Sequence, residues 1–387
     1  MSARTAEVAV IGGGVIGASI AWHLAKLGAK VTVFERAPGR GAGSTGRATG
    51  GFRAQYETAI NIRLSLLSRE KLRRFADEVG ADPGYRPCGY LWLAADAAQV
   101  AALSRAQALQ HDLGLREARM VTPSEIAALQ PFANLDGVAG GAFCETDGFL
   151  RPMAILNGYL DAAIRLGAVV QHAAPVDELI AGRGGRIESI RAGGRTWSVG
   201  AVVNAAGPWA AEVAALAGLD LPVVPLRRQI ALTLPQTALP DSMPMTIWLS
   251  DGFHLRVRDG RALLLWPSPG GMDPFDASVD PIWVDQVSRI AKQRLPALGA
   301  VQIDRAACSA GLYEMSPDRH AIVGRAPGFD NFYLACGSSG HGVMHAPALG
   351  QIVAEQVLQG KAAALDVHAL RPERFAEGQP NSMAGLL

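Results

Sequence analysis

Residues 7–35 constrain the fold of this 387-residue chain more than any other segment. They begin with a short run of apolar, mostly β-branched residues at 7–11, which is typical of a strand buried in a parallel sheet. A glycine-rich turn follows, and the apolar residues after it recur at helical spacing as far as Leu27. A second apolar strand then ends in Glu35. This order predicts a βαβ unit with a tight turn between its first strand and its helix.

Each polar or glycine position in this unit has a physical reason. Gly12 permits the tight turn, Gly14 lets the backbone approach a pyrophosphate, and Gly17 allows close packing of the helix on the strand. The N-terminus of the helix presents free N–H groups and a positive dipole end to phosphate groups. Glu35 can accept hydrogen bonds from a ribose diol, and its charge would repel a 2′-phosphate. The unit therefore predicts a dinucleotide-binding site.

The segment after Glu35 distinguishes between two dinucleotides. An NAD-binding domain would continue as regular βαβ units, whereas residues 36–53 are dense in Gly, Ser, Thr and Arg. Such a loop supplies hydroxyl, backbone N–H and guanidinium groups, and Ser44, Thr45 and Arg47 are its candidates for contact with a cofactor. We therefore interpret the site as one for flavin adenine dinucleotide (FAD), with NAD as the alternative.

A second glycine-rich turn lies near the other end of the chain. An apolar strand at residues 332–336 runs into the turn at 337–342, and a helical pattern follows it. The N-terminus of that helix would stabilise negative charge that develops on a flavin as it is reduced. His341 and His345 have the spacing of a metal-binding pair, but Gly342 and Pro347 argue against a regular helix there. We predict no metal site.

Composition excludes several classes of protein. A formal charge of +1, with 18% charged and 49% hydrophobic residues, is not that of a disordered chain and offers no electrostatic basis for binding nucleic acid. Four cysteines without a CxxC pair predict reduced thiols. The start of the chain does not resemble a signal peptide, and no apolar run reaches the ~18 residues of a transmembrane helix. We expect a cytoplasmic protein.

Several segments carry a resemblance to a known family: GGGVIG with Glu35, STGRATGGFRAQY, PVDELI, NAAGPWA, GLYEMSPDRHAIVG and GSSGHGVM. In this order they are similar to the D-amino-acid oxidase-like family of FAD enzymes, the group of glycine oxidase, sarcosine oxidase and proline dehydrogenase subunits. The resemblance covers essentially the whole chain, although residues 81–145 and 216–300 match only in outline.

The resemblance implies an α/β fold combined with antiparallel β structure. A discontinuous, Rossmann-like FAD-binding domain would comprise residues 1–80, 146–215 and 305–387. A substrate domain built on a large, mostly antiparallel sheet would comprise residues 81–145 and 216–304. Within the latter, Asp259-Gly260 between two apolar runs independently predicts a β-hairpin.

The resemblance also implies roles for individual residues. It places Arg53 at the substrate carboxylate, and it makes Tyr313 an active-site tyrosine. The residues that it assigns to FAD are Gly12, Gly14, Val15, Ile16, Gly17, Glu35, Arg36, Ser44, Thr45, Arg47, Ala48, Thr49, Val176, Ala206, Gly207, Trp209, Gly340, His341, Gly342, Val343 and Met344.

The activity implied is oxidation of the C–N bond of a small amino acid or secondary amine, such as proline, glycine or a sarcosine-like compound, by hydride transfer to flavin N5. Two departures from the family pattern refine it. Gly311 stands where covalent sarcosine oxidase has its flavin-linked cysteine, so we expect non-covalent FAD. Met344 and, approximately, Leu264 stand in place of lysines, one of which promotes reaction with oxygen, so we expect a dehydrogenase more than an oxidase.

Two alternatives stay open at this stage. One is an oxidoreductase of 2-hydroxy acids on the same scaffold. The other is a flavin-carrying subunit of a hetero-oligomeric amine or opine dehydrogenase. The sequence assigns neither the electron acceptor, the catalytic base nor the oligomeric state, homomeric or heteromeric.

Overall fold

The computed structural model describes residues 4–182, 184–268 and 273–383. The strands are β1 (Arg4–Ile11), β2 (Val31–Phe34), β3 (Gly51–Phe52), β4 (Tyr90–Ala94), β5 (Ala118–Val121), β6 (Gly140–Cys144), β7 (Gly148–Phe149), β8 (Val169–Gln171), β9 (Val176–Ala181), β10 (Ile187–Ala192), β11 (Arg195–Asn204), β12 (Val224–Leu232), β13 (Met245–Trp248), β14 (His254–Arg258), β15 (Arg261–Leu265), β16 (Ser309–Met315), β17 (Ile322–Arg325) and β18 (Phe332–Cys336). The helices are α1 (Val15–Lys26), α2 (Ala59–Arg73), α3 (Phe75–Val79), α4 (Ala97–Asp112), α5 (Pro123–Leu129), α6 (Pro152–Arg165), α7 (Ala210–Ala215), α8 (Pro281–Arg294) and α9 (Gly342–Gln359).

The first sheet has a parallel centre. Its strands follow the order β17, β18, β11, β1, β2 and β8. Two further strands branch from β11: β10 pairs antiparallel with β11, and β9 pairs antiparallel with β10. β1 pairs in parallel with both β2 and β11, and its residues from Val8 to Ile11 are buried. Both faces of the sheet are covered by apolar clusters, one with α1 and α9 and the other with β9, β10 and α7. This explains why the strands are apolar throughout instead of alternating with polar residues. The predicted βαβ unit is therefore confirmed.

Helix α1 packs on this sheet, and α6 and α9 pack on α1. The approach of α1 to β1 is close at Gly17, where a Cβ atom would lie 2.0 Å from the carbonyl oxygen of Gly12. Trp22 of α1 contacts Tyr159 of α6 with ring centroids 5.4 Å apart. These contacts place the N-termini of α1 and α9 beside the same edge of the sheet.

The second sheet is mostly antiparallel. Its order is β16, β12, β15, β14, β13, β4, β6 and β5, and only the pairing of β13 with β4 is parallel among those described. One face packs against α8 through Trp283 and Val287. The predicted hairpin at Asp259-Gly260 is confirmed: both residues have positive φ angles, 54° and 68°, as a two-residue hairpin turn requires.

The strands of the two sheets come from the segments that the predicted division assigns to them, with one departure. β16 begins at Ser309, inside the segment 305–387 that was expected to belong to the FAD-binding domain, yet it pairs along its whole length with β12. The second sheet therefore reaches to Met315 in the chain. The division into domains itself stays a prediction.

A second expectation was wrong. Pro347 and Gly342 were expected to prevent a regular helix, but both lie in α9. Gly342 is its first residue, and Pro347 falls early enough that the helix loses only one backbone hydrogen bond near its start. His345 lies inside α9, where its Nε2 contacts Ser65 Oγ at 2.9 Å, so it does not face a metal with His341.

Three further observations concern the residues that the structure describes. None of their helices is both long and apolar enough to cross a bilayer. They contain no group of three His, Cys, Asp or Glu side chains placed to hold a metal ion. The four cysteines, all within the described ranges, form no disulfide with one another.

Candidate functional site

A single cavity of about 1180 Å³ runs between the two sheets. Its walls include the turn after β1 at one end and strands of the second sheet at the other. Pockets for one small ligand usually measure roughly 300–1,000 Å³. This cavity therefore has room for a dinucleotide together with a small substrate.

The end of the cavity beside β1 carries Glu35, the acid predicted to bind a ribose. The carboxylate of Glu35 accepts hydrogen bonds from the N–H groups of Gly13 and Ala37, each at 2.8 Å. These bonds hold the carboxylate at the end of β2, facing the cavity. Gly12 has a φ of 105°, and a Cβ atom there would lie 2.3 Å from the carbonyl oxygen of Ala205. Only glycine fits this turn.

The N-terminus of α1 forms the next part of the wall. Gly14 is its N-cap and supplies no side-chain cap, and the N–H of Val15 donates to Thr45 Oγ1 at 3.1 Å. A Cβ atom on Gly14 would approach Thr45 Oγ1 at 3.5 Å and nothing closer. Backbone N–H groups and a hydroxyl thus meet where a pyrophosphate could be bound without a side chain in the way. These residues fit the FAD expected from the sequence.

The loop after Glu35 reaches the second sheet. Ser44 Oγ donates to the carbonyl oxygen of Leu312 in β16 at 2.6 Å. Arg47 donates to the carbonyl oxygen of Ala42 within its own loop. The loop is therefore held against the strand that carries Tyr313.

The structure brings nearly all residues predicted to contact FAD to this one cavity. Gly17 is the exception: it does not line the wall, because it faces the backbone of Gly12 and serves the packing of α1 on β1. The predicted residues on the wall are Gly12, Gly14, Val15, Ile16, Glu35, Arg36, Ser44, Thr45, Arg47, Ala48, Thr49, Val176, Ala206, Gly207, Trp209, Gly340, His341, Gly342, Val343 and Met344. Their contacts with FAD stay a prediction.

The second glycine-rich turn lies across the cavity from the first. Gly340 packs directly on Tyr313, since a Cβ atom there would lie 2.5 Å from its ring. α9 begins two residues later with no side-chain cap, so its first N–H groups and its positive dipole end face the cavity. Such an end stabilises an anion, including the charge on a reduced flavin.

Glu314 is a buried carboxyl on this wall that the sequence did not single out. Burial raises its pKa to about 7, although the polar groups of the nearby turn at Gly337 and Ser338 oppose the rise. Its Oε2 atom is buried without a hydrogen-bond partner. At neutral pH the group is therefore divided between its neutral and charged forms.

Arg53, which follows β3, occupies the other end of the cavity. Its guanidinium lies 4.2 Å from the ring centroid of Tyr56 and 5.0 Å from that of Trp92. It donates to the carbonyl oxygen of Gln55 at 3.2 Å and contacts His341 Nε2 at 3.3 Å. The side chain is only 4% exposed, so an anion that it binds from the cavity would be largely shielded from water.

Tyr313 lies on the same wall as Arg53. Burial raises the pKa of its phenol, while the charges of Arg228 and Arg53 pull it down. The phenol stays protonated at neutral pH and can donate a hydrogen bond to a carboxylate. The two residues predicted to bind substrate thus share one end of the cavity.

Sequence reasoning missed two polar residues at this end, Arg228 of β12 and His254 of β14. Burial lowers the pKa of His254 to about 4, and the nearby guanidinium groups add to the effect. Its Nδ1 donates to the carbonyl oxygen of Gly252 at 2.9 Å, so the ring is a neutral acceptor at Nε2. A charged residue inside an apolar strand was the available signal, but the sequence alone does not tell which face it occupies.

The residue of β15 that faces the cavity is one position further along the strand than expected. Leu264 was expected to stand where the family has a lysine near the flavin, yet it is 1% exposed and packs in the core against α8. Its neighbour Leu265 lines the cavity instead. Successive residues of a strand face opposite sides, so a shift of one residue exchanges core for cavity.

Among the described residues that line the cavity there is neither a cysteine nor a lysine. Cys308 packs against the core beneath the second sheet, and burial raises the pKa of its thiol. No thiolate is therefore placed for attachment to a flavin.

Comparisons with known proteins agree with this geometry. The model of the family described as FAD dependent oxidoreductase (DAO) matches residues 7–356. The "FAD-dependent oxidoreductase domain-containing protein 1" of Xenopus laevis is 29% identical, over 97% of this chain and 83% of its own length. Mitochondrial dimethylglycine dehydrogenase of Mus musculus is 28% identical over 96% of this chain, which spans 44% of that protein.

The fold is similar to that of a solved enzyme. The crystal structure of L-proline dehydrogenase from P. horikoshii superposes with a TM-score of 0.91 and 29% identity, over 98% of this chain and all of the other. The similarity extends through both sheets and therefore through both walls of the cavity.

Proposed function

The chain belongs to the DAO family of FAD-dependent oxidoreductases, and we propose that it oxidises the C–N bond of a small amino acid or secondary amine that carries a carboxylate. One observation supports this most: a continuous cavity joins the dinucleotide end at Glu35 to a buried guanidinium and phenol, Arg53 and Tyr313. A guanidinium binds a carboxylate through two parallel hydrogen bonds, and the phenol adds a third.

FAD supplies the hydride acceptor of this reaction at flavin N5. The residues of the chain bind the substrate carboxylate, orient the C–H bond and exclude water. The positive charge of Arg53 disfavours a further cation beside it, so it lowers the pKa of a bound substrate ammonium. The substrate thereby loses its proton more readily and reacts as the neutral amine.

We further propose that FAD is held without a covalent bond and that the enzyme is a dehydrogenase. The absence of cysteine from the described lining of the cavity supports the first point, and the absence of lysine supports the second. The similar solved structure of a proline dehydrogenase is consistent with it. Acid precipitation releases a non-covalent flavin into the supernatant, so this step tests the mode of attachment.

The decisive experiment is anaerobic mixing of the FAD-loaded protein with D- and L-amino acids and N-methyl amino acids. We expect the visible absorbance of the flavin to bleach with at least one of them, with a keto acid or aldehyde formed after hydrolysis of the imine. Admission of air then distinguishes a dehydrogenase from an oxidase, because slow reoxidation of the reduced flavin indicates a dehydrogenase. If no amine bleaches the flavin while simple 2-hydroxy acids do, the proposal is wrong.

A further inference from the structure

Arg228 lies on the substrate side of the cavity and has no assigned role. It belongs to β12, which pairs with β16 on one side and β15 on the other, and its register partner in β16 is Gly311. Its side chain lines the cavity, as do those of Leu226 and Ile230 at alternate positions of the strand. The guanidinium lies 5.7 Å from the ring centroid of Tyr313.

The ion pairing of Arg228 differs from that of Arg227, Arg261 and Arg294, which belong to or flank the same sheet. Arg227, Arg261 and Arg294 pair with aspartates at 2.6, 2.7 and 3.0 Å. Arg228 pairs with no carboxylate in the part of the chain that the structure describes, and its guanidinium donates a hydrogen bond to the carbonyl oxygen of Arg227 at 3.3 Å. Burial lowers its pKa. A half-buried guanidinium without a counterion is costly unless a ligand supplies the anion.

Arg228 and Arg53 act on the same part of the cavity. The charges of both influence Tyr313 and His254, so both guanidinium groups lie near the phenol and the imidazole. The carboxyl that faces the cavity here is that of Glu314, whose pKa burial raises to about 7, so that it is partly neutral at pH 7. The end of the cavity proposed to bind substrate therefore carries two guanidinium groups, one more than a single carboxylate requires.

We propose that Arg228 binds a second carboxylate of the substrate, which is then an amine flanked by two carboxylates. N-carboxyalkyl amino acids and cyclic imino dicarboxylates have this form. Arg53 would bind the carboxylate next to the reacting C–N bond, and Arg228 would bind the other. The inference rests on the proposed function, since it names the substrate class for the same site.

Matched substrate pairs test this on the wild-type, FAD-loaded protein. Proline is compared with pyrrolidine-2,5-dicarboxylate, and N-methylglycine with N-(carboxymethyl)glycine; the members of each pair differ by one carboxylate. Anaerobic bleaching gives the dissociation constant and the limiting rate of flavin reduction. We expect each dicarboxylate to bind about 10- to 100-fold more tightly than its monocarboxylate partner. This is the gain expected from a charge-assisted hydrogen bond between the second carboxylate and the partly buried guanidinium of Arg228. Equal or weaker binding of both dicarboxylates overturns the inference.

Variants locate the effect. R228Q should raise the dissociation constant of the dicarboxylates by about 10- to 100-fold and change that of the monocarboxylates by less than about threefold. R228K keeps the positive charge but cannot form two parallel hydrogen bonds to a carboxylate, so we expect it to weaken dicarboxylate binding less than R228Q does. R227Q is the matched control, because it removes the same charge one position away, where the side chain pairs with Asp276 outside the cavity. It should leave the difference between pair members unchanged.

A readout without turnover accompanies these assays. Thiodiacetate and (methylthio)acetate replace the amine by sulfur, so neither has a C–N bond to oxidise. Their binding is measured from the perturbation of the flavin spectrum, and we expect thiodiacetate to depend on Arg228 in the same way. If R228Q weakens both analogues equally, both arginines bind one carboxylate and the inference fails.

The outcomes also separate the two proposals. If monocarboxylic amines bleach the flavin and a second carboxylate brings no gain, only the substrate class is wrong. If no amine of either kind bleaches the flavin, the proposed function is wrong. Should R228Q fail to retain FAD, the wild-type pairs and R228K still decide the matter.

Discussion

The guanidinium of Arg53 and the imidazole of His341 are in contact, with Nη2 and Nε2 3.3 Å apart, although 288 residues separate them in the chain. A guanidinium only donates, so a hydrogen bond at this contact requires Nε2 of His341 to accept. The contact joins the predicted carboxylate-binding residue to the turn at the start of α9. The contact therefore links the proposed substrate site to the turn that we propose faces the flavin.

The first prediction concerns Arg53. R53Q removes the positive charge and the paired N–H donors that we expect to bind the substrate carboxylate. It should therefore raise the dissociation constant of an amino-acid substrate by roughly 10- to 100-fold. Anaerobic titration of the flavin measures this. An analogue without the carboxylate, such as pyrrolidine in place of proline, is the control and should bind equally to both proteins. A parallel loss for the analogue would show that Arg53 acts only on the fold or the flavin.

The second prediction compares two glycines of the first turn. In G12A the new methyl would collide with the carbonyl of Ala205 at a positive φ angle, so we expect a loss of roughly 2–4 kcal/mol in the free energy of unfolding. G14A meets only Thr45 Oγ1 at 3.5 Å and should fold normally. Its methyl group narrows the approach to the predicted pyrophosphate site, which should weaken FAD binding by roughly 10- to 100-fold. Flavin content and thermal unfolding distinguish the two effects. Normal FAD affinity in G14A would contradict the assignment of this site.

The third prediction concerns reaction with oxygen. Leu265 faces the cavity, so L265K would place a cation there and should accelerate reoxidation of the reduced flavin by roughly tenfold or more. L265M is the neutral control and should reoxidise as slowly as the wild type. L264K places its charge in the core instead and should destabilise the protein by several kcal/mol. Stopped-flow mixing with air-saturated buffer measures the rates. Rapid reoxidation of the wild-type flavin by oxygen would contradict the proposal that the enzyme is a dehydrogenase.

The fourth prediction concerns a buried ion pair far along the chain. Arg374 is fully buried and binds both carboxylate oxygens of Asp318, at 2.8 and 2.9 Å. R374Q leaves that carboxylate buried without its partner, so it should lower the free energy of unfolding by roughly 3–5 kcal/mol. R371Q is the control, because Arg371 pairs with the partly exposed Glu377 and should contribute less than about 1 kcal/mol. Urea unfolding measures both.

The same pair predicts a pH dependence. Burial tends to raise the pKa of Asp318, but the hydrogen bonds and charge of Arg374 outweigh it and hold the pKa well below its usual value. The stabilisation is therefore complete above the unfolded-state pKa of about 4 and is lost as the pH falls further. The difference between wild type and R374Q should narrow in acid. A difference that stays constant down to pH 3 would contradict this origin.

Much of the site could be predicted because its signals are local. The glycines of the first turn, Glu35 at a strand end and the hairpin at Asp259-Gly260 follow from backbone sterics and from the period of apolar residues, which a few neighbouring residues determine. The contact of Tyr313 with Gly340 joins distant segments, and it was predictable only through the family resemblance.

What could not be predicted depends on strand register. Leu264 and Leu265 are equally apolar, and only the pairing of β15 with β12 and β14 decides which one faces the cavity. Arg228 and His254 lie in strands whose two faces are not distinguished by composition. The helix through Pro347 likewise depends on packing, because the contacts of α9 with α1 and α2 offset the missing hydrogen bond.

By itself, the sequence determined the βαβ unit, the two glycine-bearing turns and the acid that ends β2, since each is specified by residues close together in the chain. The tertiary structure alone decided that Arg228 and His254 line the same end of the cavity as Arg53 and Tyr313. Their positions depend on pairings between strands that are far apart in sequence, and no local pattern encodes the energy of those pairings.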